Sequence, residues 1–132
     1  MKSDTHFLIV DDYANIRTLV RGQLNDFGIT ENITEMDSAD AAISFLNSKP
    51  KRPVEFIISD WNMPGTNGFD FLKWVRSQPS LKTVPFLILT TENEQAKIMN
   101  AIQAGVSNFL LKPWETEELA NKIQLCWKKH HP

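Results

Sequence analysis

The chain has 132 residues, 42% hydrophobic and 23% charged, with 14 basic against 16 acidic side chains and a formal net charge of −2. That length suits one domain, expected to span residues 1–132, with a core that needs neither disulfides nor a structural metal. The near-neutral balance excludes the basic stripe of a nucleic-acid binder, and no apolar stretch is long enough for a membrane span or a signal-peptide core, so a cytoplasmic protein without membrane or nucleic-acid partners is expected.

In chain order, Phe7 to Val10 is a short, wholly apolar run of the kind that forms a strand buried on both faces. Ile16, Leu19, Val20, Leu24 and Phe27 follow at helical spacing, and Gly28 offers a stop. Thr30 to Met36 is a more polar strand candidate suited to a sheet edge. A helix is predicted over about Ala39 to Ser48, with Asp37 or Ser38 as cap. Phe56-Ile57-Ile58 is the next strand, and Phe69, Leu72 and Val75 mark the next helix. Phe86 to Leu89 is the fourth strand, followed by a helix holding Ile98, Met99 and Ile102 that ends before Gly105. Phe109 to Leu111 is the fifth strand. The last helix holds Leu119, Ile123 and the single cysteine, Cys126; it opens on Glu115, Glu117 and Glu118 and closes on Lys128, Lys129 and two histidines, as a helix dipole favours. A lone cysteine forms no internal disulfide, and Cys126 reads as a small apolar residue on a helix face. Five strands alternating with five helices imply right-handed crossovers and a parallel sheet covered on both faces.

Ligands collect beyond the carboxyl ends of the strands in open parallel sheets. The residues there are Asp11 and Asp12 after the first run, Asp60 after the third, Thr90 and Thr91 after the fourth and Lys112 after the fifth. Any one of them alone reads as a turn, a cap or a solvated side chain. Together they place three carboxylates, two hydroxyls and one cation on one rim. Three carboxylates repel one another. Lys112 offsets one charge and a divalent cation offsets the remaining two. Hard oxygen ligands favour Mg²⁺, with Mn²⁺ as a substitute. An aspartate can attack phosphorus and form an aspartyl phosphate, and the metal, the Lys112 ammonium and the Thr90 hydroxyl are suited to clamp the phosphoryl oxygens.

The runs Phe7-Leu8-Ile9-Val10-Asp11-Asp12, Ser59-Asp60-Trp61-Asn62-Met63-Pro64-Gly65, Leu89-Thr90, Ala104-Gly105 and Phe109-Leu110-Leu111-Lys112-Pro113 resemble, in order and spacing, the response-regulator receiver family, and most of all its single-domain chemotaxis members. The resemblance covers about Phe7 to Trp127. It implies a flavodoxin-like (βα)5 three-layer sandwich with a five-stranded parallel sheet of order 2-1-3-4-5. It implies that Asp60 is the phosphoacceptor, assisted by Thr90 and Lys112. Asp12, Asp60 and the Asn62 backbone carbonyl would bind Mg²⁺, with Asp11 acting through water, and the Lys112-Pro113 peptide would be cis. Phe109 stands where the family keeps a switch aromatic, often tyrosine; phenylalanine can rotate but has no hydroxyl. Trp61 stands where chemotaxis members often carry tryptophan after the phosphoacceptor. The implied output surface, from helix four, strand five and helix five, holds Gln95, Ile98, Val106, Phe109 and Lys122. The implied partners are a sensor histidine kinase of the chemotaxis type, a flagellar motor switch protein and a phosphatase. The implied protein is a monomer that catalyses only its own phosphorylation and dephosphorylation.

A single-domain relay intermediate or phosphate sink in another pathway uses the same residues, and the sequence does not decide between that role and chemotaxis. Two other functions fit less well. Haloacid dehalogenase-like phosphohydrolases need Asp-x-Asp after the first strand, where this chain has Asp11-Asp12-Tyr13. Nucleotide-binding folds need a phosphate-cradling loop there, rich in Gly, Ser or Thr, and the Asp pair would repel phosphate.

Overall fold

The computed structural model describes residues 1–91 and 95–132, with the backbone alone at Gln95. Among them the strands are β1 (Phe7–Val10), β2 (Ile33–Met36), β3 (Phe56–Asp60), β4 (Phe86–Thr90) and β5 (Asn108–Leu111). The helices are α1 (Ala14–Asp26), α2 (Ala39–Asn47), α3 (Gly68–Ser77), α4 (Gln95–Gln103) and α5 (Thr116–His130), with one 3-10 turn at Pro79–Leu81. All pairings are parallel and the strand order is β2-β1-β3-β4-β5. This is the flavodoxin-like arrangement.

The unbroken apolar strands serve two cores because successive strand side chains point to opposite faces. Phe7, Ile9, Phe56, Ile58, Leu87 and Leu89 pack on Val20 and Leu24 of α1 and on Leu119, Ile123 and Cys126 of α5. Leu8, Val10, Ile57, Phe86 and Ile88 pack on Ala39 and Ala42 of α2, on Phe71, Leu72 and Val75 of α3 and on Ala101 of α4. Each fully buried Phe, Leu or Ile contributes roughly 1.5–3 kcal/mol relative to exposure. Edge strand β2 is half-buried throughout and begins at Ile33, shorter than the expected Thr30 to Met36.

The caps follow the sequence. Ser38 Oγ accepts from the Ala41 N–H at 3.0 Å, and α2 stops at Asn47 with Ser48 as its cap. Glu115 and Glu118 form a reciprocal capping box at the start of α5. Gly28 and Gly105 end α1 and α4 at φ +87° and +96°, where a side chain would be strained.

Four apolar residues depart from expectation. Leu19 is 46% exposed, because the buried stripe of α1 runs through Val20, Gln23 and Leu24 and leaves Leu19 at its margin. Met99 and Ile102 are 47% and 53% exposed, because α4 docks through the small Ala101. Val106, expected on the output surface, is instead buried in the core: its N–H bonds to the Ala101 carbonyl at 3.0 Å as the chain turns under α4.

Candidate functional site

Asp11 directly follows β1 and is fully buried. Its N–H donates to the Met36 carbonyl at 3.1 Å, and its Oδ1 accepts from the Tyr13 N–H at 2.9 Å. Its Oδ2 is buried without a hydrogen bond. Asp12 is half-buried, and its Oδ1 is likewise buried without a hydrogen bond. Asp60 ends β3; its Oδ1 accepts from the Trp61 N–H at 2.8 Å and from Lys112 Nζ at 2.9 Å. Lys112 Nζ also stands 3.7 Å from Asp11 Oδ2. One oxygen of each of the three carboxylates lies within 4.8 Å of the others. The strand order explains the meeting: β1 pairs with β3, so the ends carrying Asp11 and Asp60 abut.

Burial pushes the Asp11 carboxyl pKa up, and the Asp60 and Asp12 charges push the same way; the Tyr13 N–H and Lys112 pull it down without cancelling the rise. Three clustered carboxylates, two of them with an orphaned oxygen, have the Lys112 ammonium as their partner among the described residues, which makes a set of hard donors short of positive charge. That set fits a divalent cation such as Mg²⁺.

Thr90 ends β4 and is buried. Its carbonyl accepts from the Lys112 N–H at 2.9 Å, which ties the two strand ends together. The Lys112-Pro113 peptide is cis. Thr90 and Phe109 share a crevice with Trp61, Lys97 and Ile98, and among the described residues it holds about 10 Å³. Phe109 is half-buried against the α3 side of the core. Asn62 is exposed two residues beyond Asp60. Ile98 is half-buried, and Lys122 Nζ donates to Asn108 Oδ1 at 3.4 Å. Gln95 opens α4, and its side chain lies outside the described residues.

Three residues at the site escape a reading by strand ends. Gly68 opens α3, and a Cβ there would come 2.2 Å from the Asp60 carbonyl oxygen; its one hint in the sequence is a glycine, a poor helix former, directly before the helical pattern that starts at Phe69. Arg17 donates through Nη1 to the Asp11 carbonyl. Buried Gln23 accepts from the Trp114 indole N–H at 2.9 Å and donates to Thr116 Oγ1 at 3.1 Å, bracing the loop after Lys112. Nothing local marks Arg17 or Gln23.

Known proteins agree with this architecture. Residues 7–124 match the response regulator receiver domain. The chain is 37% identical over 122 residues to the chemotaxis protein CheY of Pseudomonas aeruginosa, covering 92% of this chain and 95% of that one. It is 34% identical over 129 residues to the chemotaxis protein CheY-3 of Vibrio cholerae, covering 98% and 96%. The structure of the chemotaxis response regulator CheY4 of Vibrio cholerae superposes with a TM-score of 0.81 at 34% identity, over 92% of this chain and 98% of that one. With its parallel sheet, its acidic rim and these relatives, the chain belongs to the response regulator receiver family, as a CheY-like member of two-component signalling.

Proposed function

We propose that Asp60 accepts a phosphoryl group from the phosphohistidine of a sensor histidine kinase, in chemotaxis signalling. The observation that carries this reading is the Lys112 ammonium 2.9 Å from Asp60 Oδ1, beside two carboxylates with orphaned oxygens. An Asp60 oxygen attacks phosphorus. The phosphorus–nitrogen bond breaks, its electron pair stays on the imidazole nitrogen, and an acyl phosphate forms. Lys112 and the Thr90 hydroxyl offset the charge on the transferred oxygens. Mg²⁺, or Mn²⁺ in its place, supplies charge neutralisation when bound by Asp12, Asp60 and the Asn62 backbone carbonyl, with Asp11 acting through water. The chain catalyses only its own modification and its reversal.

The new group adds about −1.5 to −2 charge, by analogy with hydroxyl-linked phosphates. Thr90 moves inward to donate to it, and Phe109 rotates into the space released. The crevice of about 10 Å³ holds no more than about one water, so the ring enters only after Thr90 or α4 has moved. The surface changed in this way comprises α4, β5 and α5, including Gln95, Ile98, Phe109 and Lys122. Its partner is a flagellar motor switch protein, with a phosphatase resetting the signal. A partner that prefers the inward state supplies the differential affinity that the shift requires. The chain acts as one domain over residues 1–132, as a monomer in the cytoplasm. Among the described residues no helix is long and apolar enough to cross a membrane.

Incubation with acetyl phosphate and Mg²⁺, followed by intact-mass measurement, tests the acceptor. The wild type gains one phosphoryl group and Asp60→Asn gains none; a gain by Asp60→Asn would refute the assignment. Affinity for the motor switch protein, measured with and without beryllofluoride, tests the output. Equal affinities, with unchanged Thr90 and Phe109 rotamers, would overturn the switch.

A further inference from the structure

Asp11 is held at three of its four polar atoms. Its N–H is bound to Met36 of β2. Its Oδ1 is bound to the Tyr13 N–H. Its carbonyl is bound to Arg17 Nη1 from the first turns of α1. Only Oδ2 is left, buried and without a hydrogen bond, 3.7 Å from the Lys112 Nζ that also binds Asp60. Arg17 is itself fixed from the far side: its Nε stands 3.3 Å from Glu35 Oε1 of β2, and the Arg17 side chain is only 17% exposed. Glu35 is held in turn by Arg21 Nε at 2.7 Å, while Arg21 Nη2 donates to the Ile33 carbonyl at 2.9 Å. A rigid planar guanidinium suits such a bridge, because it presents several donors in a fixed fork.

We infer that Arg17 is a positioning residue for the cation site: by clamping the Asp11 carbonyl against Glu35, it sets the β1–α1 turn that aims Asp11 and Asp12 at the metal. The inference rests on the acidic cluster being the Mg²⁺ site. Coulomb attraction alone predicts the opposite effect of removing Arg17, since deleting a nearby positive charge strengthens cation binding. Positioning predicts that it weakens binding. The sign of the change therefore separates the two.

The test is a MgCl₂ titration of the full chain followed by the NMR amide shifts of Tyr13 and Trp61, whose N–H groups donate to Asp11 and Asp60. Arg17→Met is expected to weaken Mg²⁺ about tenfold, the loss typical of groups that orient metal ligands. Arg21→Met removes the same charge and the other ion pair to Glu35 without touching Asp11, and should not weaken Mg²⁺. Unchanged or tighter binding by Arg17→Met overturns the inference, as does an equal loss in both variants. Arg17→Lys keeps the charge, and a lysine cannot span the Asp11 carbonyl and Glu35 together. If Arg17→Met does not fold, weaker binding by Arg17→Lys supports the clamp and unchanged binding overturns it. Asp12→Ala is the separate control. Wild-type affinity in Asp12→Ala would sink the metal-site reading itself, whereas its loss beside an unaffected Arg17→Met would sink only the role of Arg17.

Discussion

Buried polar groups gather beyond the carboxyl ends of the strands and, on the opposite edge of the sheet, at the amino ends of β4 and β5, and the two places treat them differently. At the carboxyl ends, Asp11 Oδ2 and Asp12 Oδ1 have no hydrogen-bond partner. At the amino ends, buried Ser107 has every polar atom engaged. Its N–H donates to the Phe86 carbonyl at 3.0 Å, and its carbonyl accepts from Lys129 Nζ at 3.1 Å. Its Oγ accepts from the Phe86 N–H at 2.9 Å and from Arg76 Nη2 at 3.5 Å, and faces His130 Nε2 at 2.9 Å. A hydroxyl has one proton. With two donors already on Oγ, that proton goes to His130 Nε2, so the ring is neutral with its proton on Nδ1. One end is closed on itself and serves the fold. The other keeps two carboxylate oxygens without a hydrogen bond, acceptor capacity that a cation can use.

The comparison can be broken most forcefully at Gly68, which underlies the open end. Gly68→Ala drives a methyl into the Asp60 backbone, where no side chain can swing aside. It is expected to cost about 3 kcal/mol, at the upper end of ordinary overpacking, read as a lower urea midpoint. A wild-type midpoint would mean that the Asp60–Trp61 segment yields freely.

Ser107→Ala attacks the closed end. It leaves the buried Phe86 N–H without its acceptor, and should cost about 1–3 kcal/mol. Asp11→Asn at the open end should act in the opposite direction. Burial raises the Asp11 pKa, so ionisation of this group costs the folded state stability as pH rises through its folded pKa. Without Mg²⁺ near pH 7, the Asn variant should melt a few degrees higher, the shift produced by about 1 kcal/mol, and its melt should no longer respond to Mg²⁺. Destabilisation by both substitutions would erase the distinction between the two ends.

The smallest effect concerns His130. Its pKa is lowered by burial and then by the cations facing it, Arg76 from α3 and Lys129 and His131 from its own terminus. Below the ordinary value near 6.5 the unfolded chain binds a proton that the folded chain resists. The contribution of His130 is therefore complete above that value and is lost as pH falls through the folded pKa. Protonation also removes the acceptor for the Ser107 proton. A stability difference between wild type and His130→Gln that varies with pH below about 6.5 is expected; a constant difference would show that the ring does not titrate against the fold.

The class of fold was readable because burial on both strand faces writes itself into local sequence as unbroken apolar runs alternating with helices, whereas the strand order was implied by the resemblance to the receiver family and not by that pattern. Asp11, Asp12, Asp60, Thr90 and Lys112 were readable for a related reason: in a parallel sheet the residue after each run must stand on the same rim. Local pattern is blind wherever a position depends on what packs opposite. Leu19, Met99 and Ile102 sit at helical spacing, yet α1 and α4 pack through other residues, Val20 and Leu24 in one and Ala101 in the other, and leave them exposed. Val106 follows Gly105 in a turn that tucks it under Ala101. Arg17 is six residues from Asp11, and only the bend between β1 and α1, with Glu35 arriving from β2, turns its guanidinium back onto that carbonyl. Sequence by itself determined which residues share the rim, because strand periodicity is a property of the chain's own backbone. Tertiary structure alone decided which carboxylate oxygens are left unbonded and which side chain aims them, because hydrogen-bond partners are set by the meeting of segments far apart in the chain.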